Sequence, residues 1–184
     1  YNRARKILHR TAPLADFYEY QARLLADELK ISSIQAKQMI QENVYDGMKC
    51  FFKKIKPFKG VRELFEECKK RNLKIGILSD FPPEQKGDIW GLSSLCDVIM
   101  GSEECGALKP SIYTFGSFAK ALNVSPEKIL YVGNSIRADI LGAKKAGMKT
   151  AYIMPFWRKI FNSKLEQADI SFKNYRQLKK IVLE

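Results

Sequence analysis

Polar residues suited to handling a phosphate stand directly after apolar runs in this chain. Ser79 and Asp80 close the run LKIGIL at 73–78, and Lys109 with Pro110 follows a short run near 97–101. Gly133 and Asn134 close ILYV at 129–132, with Asp139 a few residues behind. A hydroxyl and a backbone amide donate hydrogen bonds to phosphoryl oxygens, a lysine supplies a point charge, and an oxygen-rich pair suits a hard cation such as Mg²⁺. Taken singly, Ser79 reads as a strand end, Lys109 as one of many surface lysines and Asp139 as a helix cap. Their shared place at strand ends is what makes them a set. As a nucleophile Asp80 lacks support: no second aspartate stands two residues on, and Phe81 and Pro82 offer neither acid nor base. It is read as a loop residue beside the phosphate, with Ser79 and Lys109.

The elements that must position these residues begin with ILYVGNSIRADILGAKKAGM, residues 129–148, which reads as a buried strand, a tight turn and a helix closing on Gly147. In open α/β sheets ligands bind outside the carboxyl ends of the strands. Residues 1–56 read as helical throughout, with Leu14, Phe17, Tyr18, Leu24, Leu25 and Leu29 at helical spacing. Ser32 and Gln35 form a capping box ahead of Ala36, Ile40 and Val44. Pro57 and Gly60 mark a boundary, after which the pattern alternates. A helix carries Val61, Leu64, Phe65 and Cys68, and strands follow at 73–78 and about 97–101. A helix from Ser111, a turn at Ser125 and Pro126, strands at 129–132 and 149–154, a strand near Ile170 and a helix from Tyr175 complete the chain. The reading is a three-layer α/β fold with a Rossmann-like parallel sheet at 57–184 and a small helical unit at 1–56.

The chain has 184 residues and a formal net charge of +12, so anionic partners are considered, although the basic residues are spread along it. Four cysteines with no CxxC and no Cys/His cluster read as reduced thiols. No apolar run approaches the roughly 18 residues of a membrane helix, and YNRARKILHR lacks the apolar segment of a secretory signal. A cytoplasmic protein with no membrane partner is expected. KCFFKKIKPFKG at 49–60 interleaves lysines with phenylalanines, a mixture able to stack on bases and meet phosphates. The plainer reading is a helix end and linker with solvated lysines, and nucleic acid is not the expected partner. His9, the sole histidine, has no partner nearby in sequence.

The run from Gly101 to Ile153, GSEECGALKPSIYTFGSFAKALNVSPEKILYVGNSIRADILGAKKAGMKTAYI, resembles the second half of a haloacid dehalogenase superfamily hydrolase, and ILSD at 77–80 resembles that family's second motif. The likeness covers about residues 57–184, and the helical unit before it resembles the family's inserted cap. It implies that Ser79 binds the transferring phosphoryl group, that Lys109 neutralises nucleophile and phosphate, and that Asn134 with Asp139 holds Mg²⁺. The implied reaction is in-line attack of a carboxylate on a small phosphorylated substrate, giving an aspartyl-phosphate that water hydrolyses while the cap excludes solvent. Dehalogenase and phosphomutase chemistry use similar residues.

Two departures accompany the likeness. Asn134 stands where the family usually has aspartate, which weakens cation binding while keeping an oxygen ligand. The family's first motif, an Asp-x-Asp on the central strand, occurs nowhere in the sequence. The nucleophile and the middle strand are therefore expected from a segment upstream of Tyr1, leaving this chain by itself inactive and with exposed strand edges. The alternatives are a catalytically inactive relative that binds a phosphorylated ligand or a protein, and a nucleic-acid binder acting through the basic surface. If the last held, affinity for a generic oligonucleotide, measured by fluorescence anisotropy, should fall steeply with salt; a flat response rules it out.

Overall fold

The computed structural model describes residues 1–86 and 88–184. Its amino-terminal part is built from α1 (Asn2–Leu8), α2 (Phe17–Leu29), α3 (Ser33–Ile40), a π-helical stretch Gln41–Asp46 and α4 (Gly47–Lys54). Local chemistry sets the ends of these helices. The Asp16 carboxylate accepts the Glu19 N–H to start α2, and Ser32 and Gln35 close a reciprocal capping box on α3. Leu14, expected within a helix, lies before α2 instead. Pro13 precedes it, the Asp16 cap follows it, and its own N–H donates to the Gly106 carbonyl at 3.0 Å. Ala22, Leu25, Ala26, Ala36, Ile40 and Tyr45 form the core of this part. By contrast, α4 buries none of its residues, and Phe51 and Phe58 are largely exposed.

From α5 (Val61–Lys70) onward, strand and helix alternate through β1 (Gly76–Ser79), β2 (Val98–Gly101), α6 (Ile112–Leu122), β3 (Leu130–Gly133), α7 (Gly142–Lys145), β4 (Lys149–Ile153), α8 (Phe156–Ile160), β5 (Ile170–Phe172) and α9 (Tyr175–Leu183). All pairings are parallel, with Ile77 opposite Ile99, Val132 opposite Ala151 and Tyr152 opposite Ser171. The strands nevertheless form two sheets, β1-β2 and β3-β4-β5. Among the described residues, β1 and β3 each pair on one side only. Burial follows pairing: β4, flanked by two strands, is buried after its first residue, whereas every residue of β1 is only half-buried. A strand in the middle of an α/β sheet is normally covered on both faces and both edges.

Shared helices hold the two sheets together. Phe115 and Ala119 of α6 pack with Tyr131 of β3 in a cluster that also receives Leu78 of β1. The segment after β3 departs from a regular helix: Ile136–Leu141 is π-helical, and one α-helical turn, α7, follows. Gly142 permits this path, because a Cβ there would lie 2.6 Å from Phe115 and 2.9 Å from Pro110. No helix of the described residues is long and apolar enough to cross a membrane.

Asp169 pins β5 to β4. Its Oδ2 accepts both the N–H and the hydroxyl of Thr150 at 2.8 Å, and its N–H donates to Thr150 Oγ1. The Thr150 hydroxyl, with the Thr150 amide, holds the Asp169 carboxyl below the usual carboxylate range. Asp169→Ala should cost about 2 kcal/mol in urea unfolding at neutral pH. A carboxyl held low stabilises the fold above its unfolded value and loses that effect as pH falls through the folded one. The gap between variant and parent should therefore begin to narrow as pH falls below about 4.

Candidate functional site

The carboxyl ends of β1 and β3 meet at Lys109. Its ammonium donates to Asp139 Oδ1 at 2.8 Å and lies 3.4 Å from the Tyr131 hydroxyl. Its backbone N–H donates to Asp80 Oδ1 at 3.2 Å, and the same oxygen accepts from the Ser102 hydroxyl at 2.8 Å. Lys109 is 9% exposed and Asp139 5%. Burial works against the ammonium, but Tyr131, Asp80 and Asp139 outweigh it and hold Lys109 above the ordinary lysine value, so the charge is kept. Burial in turn pushes the Tyr131 phenol up, against the pull of Lys109.

Asp139 reaches this position because the chain turns tightly over it. Its Oδ2 accepts the N–H groups of Asn134 and Ser135 at 3.1 and 2.9 Å. A Cβ on Gly133 would lie 2.7 Å from that oxygen, so the residue closing β3 must be glycine. Ser135 caps the following turn by accepting the Ala138 N–H. Ser79 ends β1, half-buried, with its Oγ accepting the Phe81 N–H at 3.2 Å. Asp80, Lys109 and Asp139 are thus joined by direct hydrogen bonds and Ser79 adjoins them along the chain. Asn134 is linked through its backbone N–H, and the residue is exposed. His9 is a satisfied histidine, sharing a 2.6 Å contact between Nδ1 and the Lys109 carbonyl.

The donors available to a hard cation are few. Asp139 has one oxygen on Lys109 and the other on two amides, and Asn134 adds a neutral amide. Among the described residues no three His, Cys, Asp or Glu side chains cluster as metal ligands. Asp139 and Asn134 are by themselves an incomplete set for Mg²⁺, which takes six oxygens in near-octahedral geometry.

A second polar cluster, not anticipated from the sequence, ties the amino-terminal helices to the strand ends. Arg5 of α1 forms an ion pair with Glu103, which follows β2, and its guanidinium lies 4.7 Å from the Phe81 ring centroid. Arg5 also donates to Gln21 at 3.2 Å and to the Asp80 carbonyl at 3.4 Å, while the Tyr45 hydroxyl donates to Glu103 Oε2 at 2.8 Å. Burial pushes the Glu103 carboxyl up, and Arg5 and Tyr45 oppose the shift. A signal for Glu103 was present: GSEECG begins at the end of β2, the same kind of position that singled out Ser79. Arg5 carried none, standing among several basic residues of one helix.

Comparison with known proteins identifies the family. The profile described as haloacid dehalogenase-like hydrolase matches residues 10–153. A glyceraldehyde 3-phosphate phosphatase of Pyrococcus furiosus is 32% identical over 119 residues, 63% of this chain and 47% of that protein. A phosphoglycolate phosphatase of Aquifex aeolicus is 34% identical over 99 residues, 52% of this chain and 46% of that protein. The chain spans about half the length of these relatives. In fold it is similar to a β-phosphoglucomutase of Clostridium difficile, with a TM-score of 0.66 at 20% identity over 97% of this chain and 85% of the other.

The Arg5–Glu103 pair generates a sharp expectation. Removing one member strands the other as a buried charge, so Glu103→Leu should destabilise the protein by about 3 kcal/mol in urea unfolding. Arg5→Met/Glu103→Leu together should recover most of that loss.

Proposed function

Because the chain belongs to the haloacid dehalogenase-like hydrolase family, we propose that its protein hydrolyses the phosphate ester of a small metabolite through an aspartyl-phosphate. The observation that carries this reading is the buried Lys109 ammonium, bonded to Asp139 and kept charged by Tyr131, Asp80 and Asp139 where two strands end. A fixed cation in a site of low polarity stabilises charge developing on phosphoryl oxygens far better than one in water. Ser79 binds the transferring phosphoryl group, with Asp80 shaping the loop beside it. Lys109 neutralises phosphate and nucleophile. The curated relatives named as phosphatases support the reaction class.

The attacking carboxylate is proposed to arrive on a strand lying between β1 and β3, whose facing edges are unpaired among the described residues. Residues 1–56 would serve as the cap and 57–184 as the core. Asp139 and Asn134 are the two donors the chain would offer Mg²⁺; bound there with further oxygens from substrate, water and the added strand, the cation would offset phosphoryl charge. The four free cysteines fit the cytoplasm. A second reading, a phospho-ligand or protein binder without turnover, is favoured by the neutral Asn134 and the incomplete ligand set.

The test is phosphate release from glyceraldehyde 3-phosphate, phosphoglycolate and p-nitrophenyl phosphate by the full-length protein with Mg²⁺. Turnover is expected for the parent, and Lys109→Ala should lower it on the order of 10³-fold while circular dichroism shows a folded chain. Activity near the parent level would displace Lys109 from the site. A parent that binds phosphoglycolate without releasing phosphate would favour the second reading.

A further inference from the structure

A groove of 370 Å³ opens where residues 56–60 lead into α5, with Trp90 and, from α9, Arg176 on its walls. Among the described residues its lining includes nothing of α1 to α4 and none of Ser79, Asp80, Lys109 or Asp139. It is therefore neither the Lys109 centre nor a cleft between the amino-terminal helices and the strand ends. Two aromatic residues stand exposed in it, and both are held in place. The Trp90 indole N–H donates to the Ile55 carbonyl at 2.6 Å, and the Phe58 ring packs on Tyr175 with centroids 5.8 Å apart. With its N–H engaged, Trp90 offers a ligand only the face of its ring. The turn that carries it is strained: Ile89, Trp90 and Gly91 have φ of 47°, 60° and 72°, left-handed backbone that a β-branched residue rarely adopts. Arg62 of α5 holds the turn by donating to the Trp90 and Gly91 carbonyls at 3.2 and 3.1 Å. Strain of this kind persists only where the surroundings over-determine it, and it clusters at ligand sites.

The charge around these rings is lopsided. Lys56, Lys59, Arg62 and Arg176 line the groove against one carboxylate, Glu63. Arg62 is engaged with the Trp90 turn, but among the described residues no carboxylate pairs with Lys56, Lys59 or Arg176. A ligand that answers both features is planar and stackable at one end and carries several negative charges at the other. The volume suits one small molecule. Lys49, Phe51, Lys53 and Lys54, from the same run of lysines and phenylalanines, lie on α4 and do not line the groove, so the run is not laid out as a track for a nucleic-acid strand. We propose that this groove binds a nucleoside polyphosphate, its base stacked on Trp90 and Phe58 and its phosphates met by Lys56, Lys59 and Arg176. The site is independent of the phosphatase reading and stands if that reading fails.

Calorimetric titration of the full-length protein with ATP in EDTA tests it, because neither metal nor turnover is then needed. ATP should saturate with a millimolar or tighter dissociation constant, and adenosine and tripolyphosphate, each lacking one half of the chemistry, should bind about ten-fold more weakly or worse. Phe58→Ala, which removes a stacking face, and Lys59→Ala/Arg176→Ala, which removes two charges, should each weaken ATP about ten-fold at an unchanged melting temperature, all three residues being exposed. Lys109→Ala should leave ATP affinity within about two-fold of the parent. The proposal is overturned if ATP does not saturate, if tripolyphosphate binds as well as ATP, or if both groove variants bind like the parent. Loss of ATP binding in Lys109→Ala would place the nucleotide at that centre and overturn it too. An adenylate octamer binding more than about ten-fold tighter than ATP would replace the mononucleotide with a nucleic-acid strand.

Discussion

The structure turns on Lys109, whose two ends do different work. Its backbone N–H takes up Asp80 at the end of β1, and its ammonium takes up Asp139 behind β3. These strands belong to separate sheets, so one residue ties the sheets together at the carboxyl ends of their strands. A buried ammonium is tolerable only when well partnered. The partners in turn are fixed: Asp139 by the amides of Asn134 and Ser135, Asp80 by the Ser102 hydroxyl. Preorganisation of this kind is what a site needs if charge is to be stabilised without rearrangement at the moment of reaction.

The Arg5–Glu103 cluster plays the corresponding part between the amino-terminal helices and the strand ends. It joins α1, α2 and the π-helical stretch to the residue after β2, and it touches the Asp80 carbonyl. The helical part and the site loop therefore share a buried polar network beside apolar contacts, Phe81 packing on the Ala22 and Tyr45 cluster and Leu108 on Leu8 and Phe17. A network whose members satisfy each other fixes relative position well, since any displacement strands a charge. The contact of Leu14 with Gly106 adds a backbone link between the same two parts.

The π-helical stretch after β3 follows from the same demands. A regular helix beginning at Ser135 would have only its own hydrogen bonds to satisfy. Here Asp139 must also face back toward Gly133, close enough that only a glycine fits, and Gly142 must pass close against Phe115 and Pro110. Single-turn π geometry is common where a functional side chain is placed inside a helix.

Most of the architecture was legible in the residues. Apolar runs bounded by Gly, Asn and Pro located the strands to within a few residues, and the Ser32 capping box and the Pro126 turn follow from nearest-neighbour chemistry. Ser79, Lys109 and Asp139 were legible because strand ends are marked in sequence by where the apolar run stops. Arg5, Gln21 and Tyr45 were not, because each is an ordinary residue of its own segment and becomes significant only through partners 16 to 98 positions away. The order of elements and the family likeness are written in the residues and their spacing. That β1 and β3 lie in separate sheets, that Lys109 spans them, and that a buried charge network seats the helices emerge only on folding, because hydrogen bonds between distant segments leave no periodicity along the chain.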